Sequence, residues 1–75
     1  MADQLLDVKG LKCPMPIIKA KKAIETLQVG QVLEVVATDP GSMADFKAWT
    51  KNTGHELLLA EERDGVFRYQ IRKMR

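Results

Sequence analysis

The chain has 75 residues, of which 45% are hydrophobic and 29% charged, and its formal net charge is +2. This length predicts a single small domain over residues 1–75, and the composition is ordinary for a globular protein in solution. The charge is too weak to indicate nucleic-acid binding. The longest apolar run, at 57–60, is too short to span a membrane, and no apolar run of signal-peptide length opens the chain.

The first half of the chain predicts a strand, a helix and a second strand. Residues 5–9 alternate as a strand does, with Leu6 and Val8 on one face, and residues 14–28 form a helix that ends before Gly30. Its apolar residues recur at helical spacing: Ile17, Ala20, Ile24 and Leu27. Residues 31–38 are rich in β-branched side chains and predict a strand. Its core-facing residues are Leu33, Val35 and Ala37.

The second half predicts a helix followed by a β-hairpin. Ser42 has Asp45 three residues later, close to a capping box, so Asp39 and Asp45 are expected to be turn and cap residues. The helix then runs to near Gly54. Its apolar side is expected to pack in the core: Met43, Phe46 and Trp49. Two strands, 56–63 and 66–73, flank Asp64-Gly65, a pair that favours a type I′ turn.

The hairpin register predicts which side chains meet the core. The expected core face holds Leu58, Ala60, Phe67, Tyr69 and Ile71. Leu57 and Leu59 then lie on the opposite face, where they are candidates for protein contact. The element order is βαβαββ, and two helices can cover only one face of a four-stranded sheet. The predicted fold is therefore α+β, a two-layer α/β sandwich.

Cys13 is the only cysteine and lies just before a helix that begins Pro14-Met15-Pro16. It cannot form an internal disulfide, and with the single histidine it cannot supply the four ligands of a structural zinc site. It is therefore either a buried apolar residue or an exposed reactive one, and its position at a helix start favours the second. We expect no metal and no cofactor. A free thiol without an export signal predicts a cytoplasmic protein.

The prolines around Cys13 predict its local geometry. Pro14 disfavours the helical conformation at Cys13 and suits the first helical position, which makes Cys13 the N-cap residue. The positive end of the helix dipole and the neighbouring Lys12 then favour the thiolate. Pro16 has no amide hydrogen, so only the Met15 amide could meet the sulfur, and we expect a modestly acidified thiol on a rigid support.

Other candidate residues are weaker. Lys12, Met15 and Lys19 lie near the thiol end and are expected to contact a protein partner, with rim charges that read an acidic surface. His55 could serve as a general base only within hydrogen-bond reach of Cys13. Because it follows the second helix, we expect it to have a surface or capping role instead.

These residues resemble the TusA/SirA family of small sulfur-carrier proteins over nearly the whole chain. The matching segments are Leu6-Asp7, the run from Gly10 to Pro16, Thr38-Asp39-Pro40, Asp45, and Gly54-His55-Glu56-Leu57. The resemblance implies a mixed four-stranded sheet similar to the C-terminal domain of initiation factor 3. It also implies that Cys13 accepts sulfane sulfur from a cysteine desulfurase or a rhodanese-like enzyme. The sulfur then passes to a cysteine of an acceptor such as a DsrE-like protein, so the chain acts as a protein cosubstrate more than as an enzyme.

The branch of the family stays open. Met15 stands where the tRNA-thiolation members commonly carry Glu, which weakens assignment to that branch. tRNA thiolation, sulfur oxidation and general sulfur trafficking all stay open, besides supply to molybdenum-cofactor or selenium pathways. The competing function is a regulatory module that binds RNA or protein and in which the thiol is incidental. A thiol redox sensor would ordinarily need a resolving cysteine, which this sequence lacks.

Overall fold

Strands and helices follow one another in the predicted order in the computed structural model, which describes residues 2–75. The elements are β1 (Gln4–Val8), α1 (Met15–Glu25), β2 (Val32–Ala37), α2 (Ser42–Thr53), β3 (Glu56–Arg63) and β4 (Val66–Arg72). The strands form one mixed sheet in the order β1-β2-β4-β3. Strand β1 is parallel to β2, whereas β4 runs antiparallel to both β2 and β3.

Both helices cover the same face of this sheet. Helix α1 packs on β1 and β2, and α2 packs on β3 and β4. The predicted α+β two-layer sandwich is therefore confirmed. In the described part of the chain, neither helix has the length and apolar character that crossing a membrane requires.

The core lies between the helices and the inner face of the sheet. The residues predicted to face inward from β2 are fully buried: Leu33, Val35 and Ala37. Phe46 of α2 stacks on Tyr69 of β4 with ring centroids 4.4 Å apart, and Trp49 meets Phe46 edge-on at 5.8 Å. Met43 packs partly buried against the same cluster. The expected core role of the apolar side of α2 is confirmed.

Strand β3 departs from the predicted alternation. Leu57 lies opposite Ile71 and Leu59 opposite Gln70, so Leu58 is an extra residue in the ladder. Such a β-bulge reverses the inward and outward alternation on one side of it. Leu57 therefore packs against the core, while Leu58 is 40% exposed, and the prediction for these two residues was wrong. Beyond the bulge the predicted register holds, with Ala60 opposite Tyr69.

The hairpin turn matches its prediction. Arg63 lies opposite Val66, and both intervening residues have positive φ angles, 52° at Asp64 and 81° at Gly65. Positive φ at both central residues is the requirement of a type I′ turn. The Gly65 amide also donates a hydrogen bond to a Glu62 carboxylate oxygen at 2.8 Å, which supports the turn.

Helix α1 ends earlier than predicted, at Glu25 instead of 28. The Thr26 amide donates to the Ala23 carbonyl and the Leu27 amide to the Ile24 carbonyl, so the chain tightens after the last turn. The Thr26 hydroxyl also bonds to the Ala23 carbonyl at 2.6 Å. Leu27 still packs against the core from this turn.

Candidate functional site

The loops after β1 and β2 meet because these two strands are parallel neighbours. Their carboxyl ends lie at the same edge of the sheet, which brings the segment from Gly10 to Cys13 beside the segment that begins at Thr38. The Gly10 amide donates to the Thr38 hydroxyl at 2.9 Å and joins the two loops. The topology thus places Cys13 near Asp39, although 25 residues separate them in sequence.

The start of α1 differs by one residue from the prediction. The Met15 amide donates to the Lys12 carbonyl at 2.9 Å, and the Ile18 amide bonds to the Pro14 carbonyl at 3.1 Å. Pro14 is therefore the N-cap residue, and Cys13, joined to it by a cis peptide bond, precedes the cap. The prediction that Cys13 caps the helix was wrong, because a turn closes from Lys12 to Met15 before the helix begins. Pro16 is buried at the second helical position.

The Cys13 thiol is exposed and has a carboxylate as its partner. Its Sγ donates to Asp45 Oδ2 at 3.1 Å. This hydrogen bond raises the pKa of the thiol, with smaller contributions from lost hydration and from the negative charges of Asp45 and Asp39. Carboxylates near a thiol disfavour its anionic form. The expected acidification of Cys13 was therefore wrong, and the Met15 amide that could have met the sulfur bonds to Lys12 instead.

Asp45 is free to meet the thiol because Ser42 does not form the predicted capping box. The N-cap residue of α2 is Gly41, and no side chain caps the helix. The Ser42 hydroxyl lies 2.6 Å from the Tyr69 hydroxyl in the core. A buried tyrosine hydroxyl needs a hydrogen-bond partner, and Ser42 turns inward to provide it. The cap role predicted for Asp45 was wrong.

Asp39 is the second carboxylate near the thiol, and we call Asp39 and Asp45 the acidic cradle. Its backbone carbonyl accepts from the Ser42 amide, as expected of a turn residue. Its Oδ2 is buried and accepts no hydrogen bond within residues 2–75. One carboxylate oxygen of each cradle residue and the Cys13 sulfur lie within 4.8 Å of one another. These atoms are short of the four ligands of a structural zinc site and instead surround the thiol with negative charge.

A groove of about 620 Å³ runs from the thiol between the two helices. Cys13 and Asp45 lie on its lining, together with the apolar side chains Ile17, Ile24 and Trp49. The groove therefore has a mixed lining, with apolar side chains beside the thiol, the Asp45 carboxylate and further polar residues. A segment of another molecule could reach the sulfur from this side.

His55 also lines the groove but has a structural contact of its own. Its Nδ1 accepts from the Met74 amide at 3.1 Å, and its ring packs edge-on against Trp49. Partial burial lowers the pKa of His55, with the charges of Lys73 and Arg75 adding to the effect. No hydrogen bond joins His55 to Cys13 among the residues that the structure describes. Through these contacts, His55 joins Met74 to Trp49 of α2, which is a structural role.

The predicted partner-binding residues are exposed at and just before the start of α1. Lys12, Met15 and Lys19 are all exposed, and Met15 is 41% accessible. Ile18, which the sequence analysis did not select, is 39% exposed between Met15 and Lys19. The sequence could have indicated its exposure, because Ile18 follows Met15 by three residues and residues at this spacing share a helix face. We call Lys12, Met15, Ile18 and Lys19 the α1 patch.

Fold and site together define a small α+β protein that presents one exposed thiol at the start of a helix. The family model described as sulfurtransferase TusA matches residues 4–73. The chain is 52% identical over 71 residues to the sulfur carrier protein TusA of Allochromatium vinosum, covering 95% of this chain and 93% of that one. It is 57% identical over 67 residues to a putative sulfur carrier protein of Neisseria meningitidis serogroup A, covering 89% and 90%.

A solved structure agrees with the sequence matches. The crystal structure of a SirA-like protein from Desulfitobacterium hafniense superposes with a TM-score of 0.81 at 28% identity, covering 96% of this chain and 99% of that one. The chain belongs to the TusA family of sulfur carrier proteins. The resemblance found in the sequence is confirmed.

Proposed function

We propose that this protein carries sulfane sulfur as a persulfide on Cys13, taking it from one protein and passing it to a cysteine of another. The observation that carries the proposal is the exposed Cys13 sulfur at the wall of an open groove. Uptake exchanges one S–S bond for another. The Cys13 thiolate attacks the outer sulfur of a donor persulfide, the donor thiolate leaves, and the Cys13 proton ends on the donor.

The prolines support presentation of the sulfur. Pro14 at the N-cap and Pro16 at the second helical position lack amide hydrogens where a helix start has no internal acceptors for them. The fixed φ angles of both residues restrict the chain beside Cys13. We infer that this rigid start holds the thiol outward for a partner and that the chain is a cosubstrate of other proteins.

The α1 patch is the proposed contact surface for these proteins. Met15 and Ile18 offer exposed apolar area in the first turn of α1, which follows Cys13, and the exposed Lys12 and Lys19 flank it in sequence with positive charge. An acidic surface on a cysteine desulfurase or rhodanese-like donor, or on a DsrE-like acceptor, would match this charge. The donor that loads Cys13 indicates the pathway: a desulfurase fits tRNA thiolation, and a rhodanese-like enzyme using thiosulfate fits sulfur oxidation.

Loading tests the proposal directly. The protein is incubated with a cysteine desulfurase and cysteine, or with a rhodanese and thiosulfate, and its intact mass is measured. We expect a gain of one sulfur that dithiothreitol reverses and that Cys13→Ser abolishes. Equal uptake by Cys13→Ser, or no uptake by the wild type from either donor, contradicts the proposal.

The same loading assay separates docking from chemistry. In a Lys12→Glu/Lys19→Glu variant, loading should slow at low salt, and the difference should shrink near physiological salt, where the screening length is about 8 Å. Alkylation of Cys13 by a small neutral reagent should change much less. If both rates fall equally, these lysines act on the thiol and not on the partner.

A further inference from the structure

A carried persulfide has to be protonated to be handed on. The acceptor thiolate attacks the outer sulfur, and a neutral S–S–H group accepts that attack whereas an anionic S–S⁻ group repels it. A persulfide loses its proton more readily than the parent thiol, so an unassisted one drifts toward the unreactive anion near neutral pH. The surroundings of the outer sulfur therefore decide whether the cargo can be transferred.

The two carboxylates of the acidic cradle lie close enough to Cys13 to contact the outer sulfur of a persulfide on that residue. An S–S bond is about 2.05 Å long. The Cys13 sulfur already lies 3.1 Å from Asp45 Oδ2, and a carboxylate oxygen of Asp39 is within 4.8 Å of it. The outer sulfur can therefore contact either carboxylate. Asp39 Oδ2 is buried and accepts no hydrogen bond from residues 2–75, so this residue has an acceptor to spare.

We propose that Asp39 and Asp45 hold the outer sulfur of the Cys13 persulfide in its protonated form and so keep it ready for transfer. This inference rests on the carrier function proposed above and gives the cradle a positioning role in it. In the unloaded protein, the same two carboxylates already raise the pKa of the Cys13 thiol. The two carboxylates accept the S–H hydrogen bond and oppose formation of the anion.

The transfer step balances without any further reagent. The acceptor thiolate forms a bond to the outer sulfur, the bond from that sulfur to Cys13 Sγ breaks, and its electron pair stays on Sγ. The proton on the outer sulfur leaves with it as the acceptor persulfide. Sγ then takes a proton from water, and because Asp45 favours the protonated thiol, little thiolate remains to reverse the step.

Other charged groups near the thiol do not replace the cradle. Lys12 adjoins Cys13, and Lys21, Glu25 and His55 line the groove. The positive groups favour an anion and so oppose the cradle. Among the described residues, the hydrogen-bond partner of Sγ is the Asp45 carboxylate. The sign of the net effect is therefore set by the Asp45 carboxylate bonded to the sulfur, with Asp39 adding to it from within 4.8 Å.

Asp45→Asn and Asp39→Asn test the inference, with Asp64→Asn at the exposed hairpin tip as the matched loss of one negative charge. Each protein is loaded with rhodanese and thiosulfate. Two rates are then measured at neutral pH: alkylation of the persulfide by iodoacetamide, and transfer of its sulfur to free cysteine. In the cradle variants, alkylation should be several-fold faster and transfer several-fold slower. Asp64→Asn should match the wild type in both.

The opposite movement of the two rates is the decisive result. Cradle variants that load normally but leave both rates unchanged, or move both in one direction, overturn the inference and leave the carrier function standing. A wild-type protein that does not load contradicts the carrier function itself. Should the variants fail to fold, an absorbance titration of the wild-type persulfide decides: its pKa should exceed that of free cysteine persulfide, and an equal or lower value overturns the inference.

Discussion

At the scale of single residues, Asp45 and Asp39 determine how the reactivity of the unloaded Cys13 thiol depends on pH. The hydrogen bond to Asp45 raises the pKa of the thiol, so the thiolate forms only at higher pH than for an unperturbed cysteine. The rate of reaction with a neutral alkylating reagent should therefore rise with pH up to this raised pKa. In Asp45→Asn the negative charge is gone, and the whole rate profile should move to lower pH.

The control for this profile is Asp64→Asn, which removes the same charge far along the chain at the hairpin tip. Its profile should overlay the wild type. A profile of Asp45→Asn that stays in place, or moves to higher pH, contradicts the assignment of Asp45 as the group that raises the pKa of Cys13.

The sequence predicted some residues of the site and missed others for a physical reason. Cys13, Lys12 and Met15 are neighbours in the chain, and the prolines imply a helix start there, so their exposure was predictable. Asp39 and Asp45 reach the sulfur only because β1 and β2 are parallel and end at one edge of the sheet. Local cap rules assigned Asp45 to its own helix, and only the fold shows that it bonds to Cys13.

At the scale of elements, the Ser42–Tyr69 hydrogen bond fastens α2 to β4 below the cradle. Both side chains are buried, and their oxygens are 2.6 Å apart. Removing one partner leaves the other unsatisfied, so Tyr69→Phe or Ser42→Ala should each lower the free energy of unfolding by about 1–3 kcal/mol. The double variant should lose less than the sum of the two, as measured by urea denaturation.

A double-mutant cycle decides whether the loss of this hydrogen bond causes the loss of stability. If the two losses add, the hydroxyls do not interact and each variant acts through packing alone. Both single variants should keep the exposure of Cys13, since neither oxygen contacts the sulfur.

The elements themselves were largely predictable, and the exception is instructive. Alternation in β2 and the Asp64-Gly65 turn depend on local sequence, and both predictions held. Leu57, Leu58 and Leu59 are three identical side chains in a row. Such a run carries no alternation signal that could locate the bulge, and only pairing with β4 shows which leucine is the extra residue.

At the scale of the whole molecule, two arginines of β4 on the sheet face without helices are paired with carboxylates of neighbouring strands. Arg68 pairs with Glu34 at 3.5 Å and Arg72 with Glu56 at 3.0 Å, while Gln70 also bonds to Glu34 at 2.9 Å. Charges neutralised by neighbours in this way do not favour an RNA-binding surface on this face. The exposed Cys13 thiol and the groove lie on the other side of the sheet, in the helical layer.

The central claim is that Cys13 passes sulfur between proteins, and a transfer experiment tests it most directly. The protein is loaded with sulfur, freed of its donor and mixed with an equimolar DsrE-like acceptor that has one exposed cysteine, and both intact masses are followed. The carrier should lose the mass of one sulfur while the acceptor gains it, one for one. Loss of sulfur from the carrier without gain by the acceptor, or a lasting disulfide between the two chains, would contradict the account.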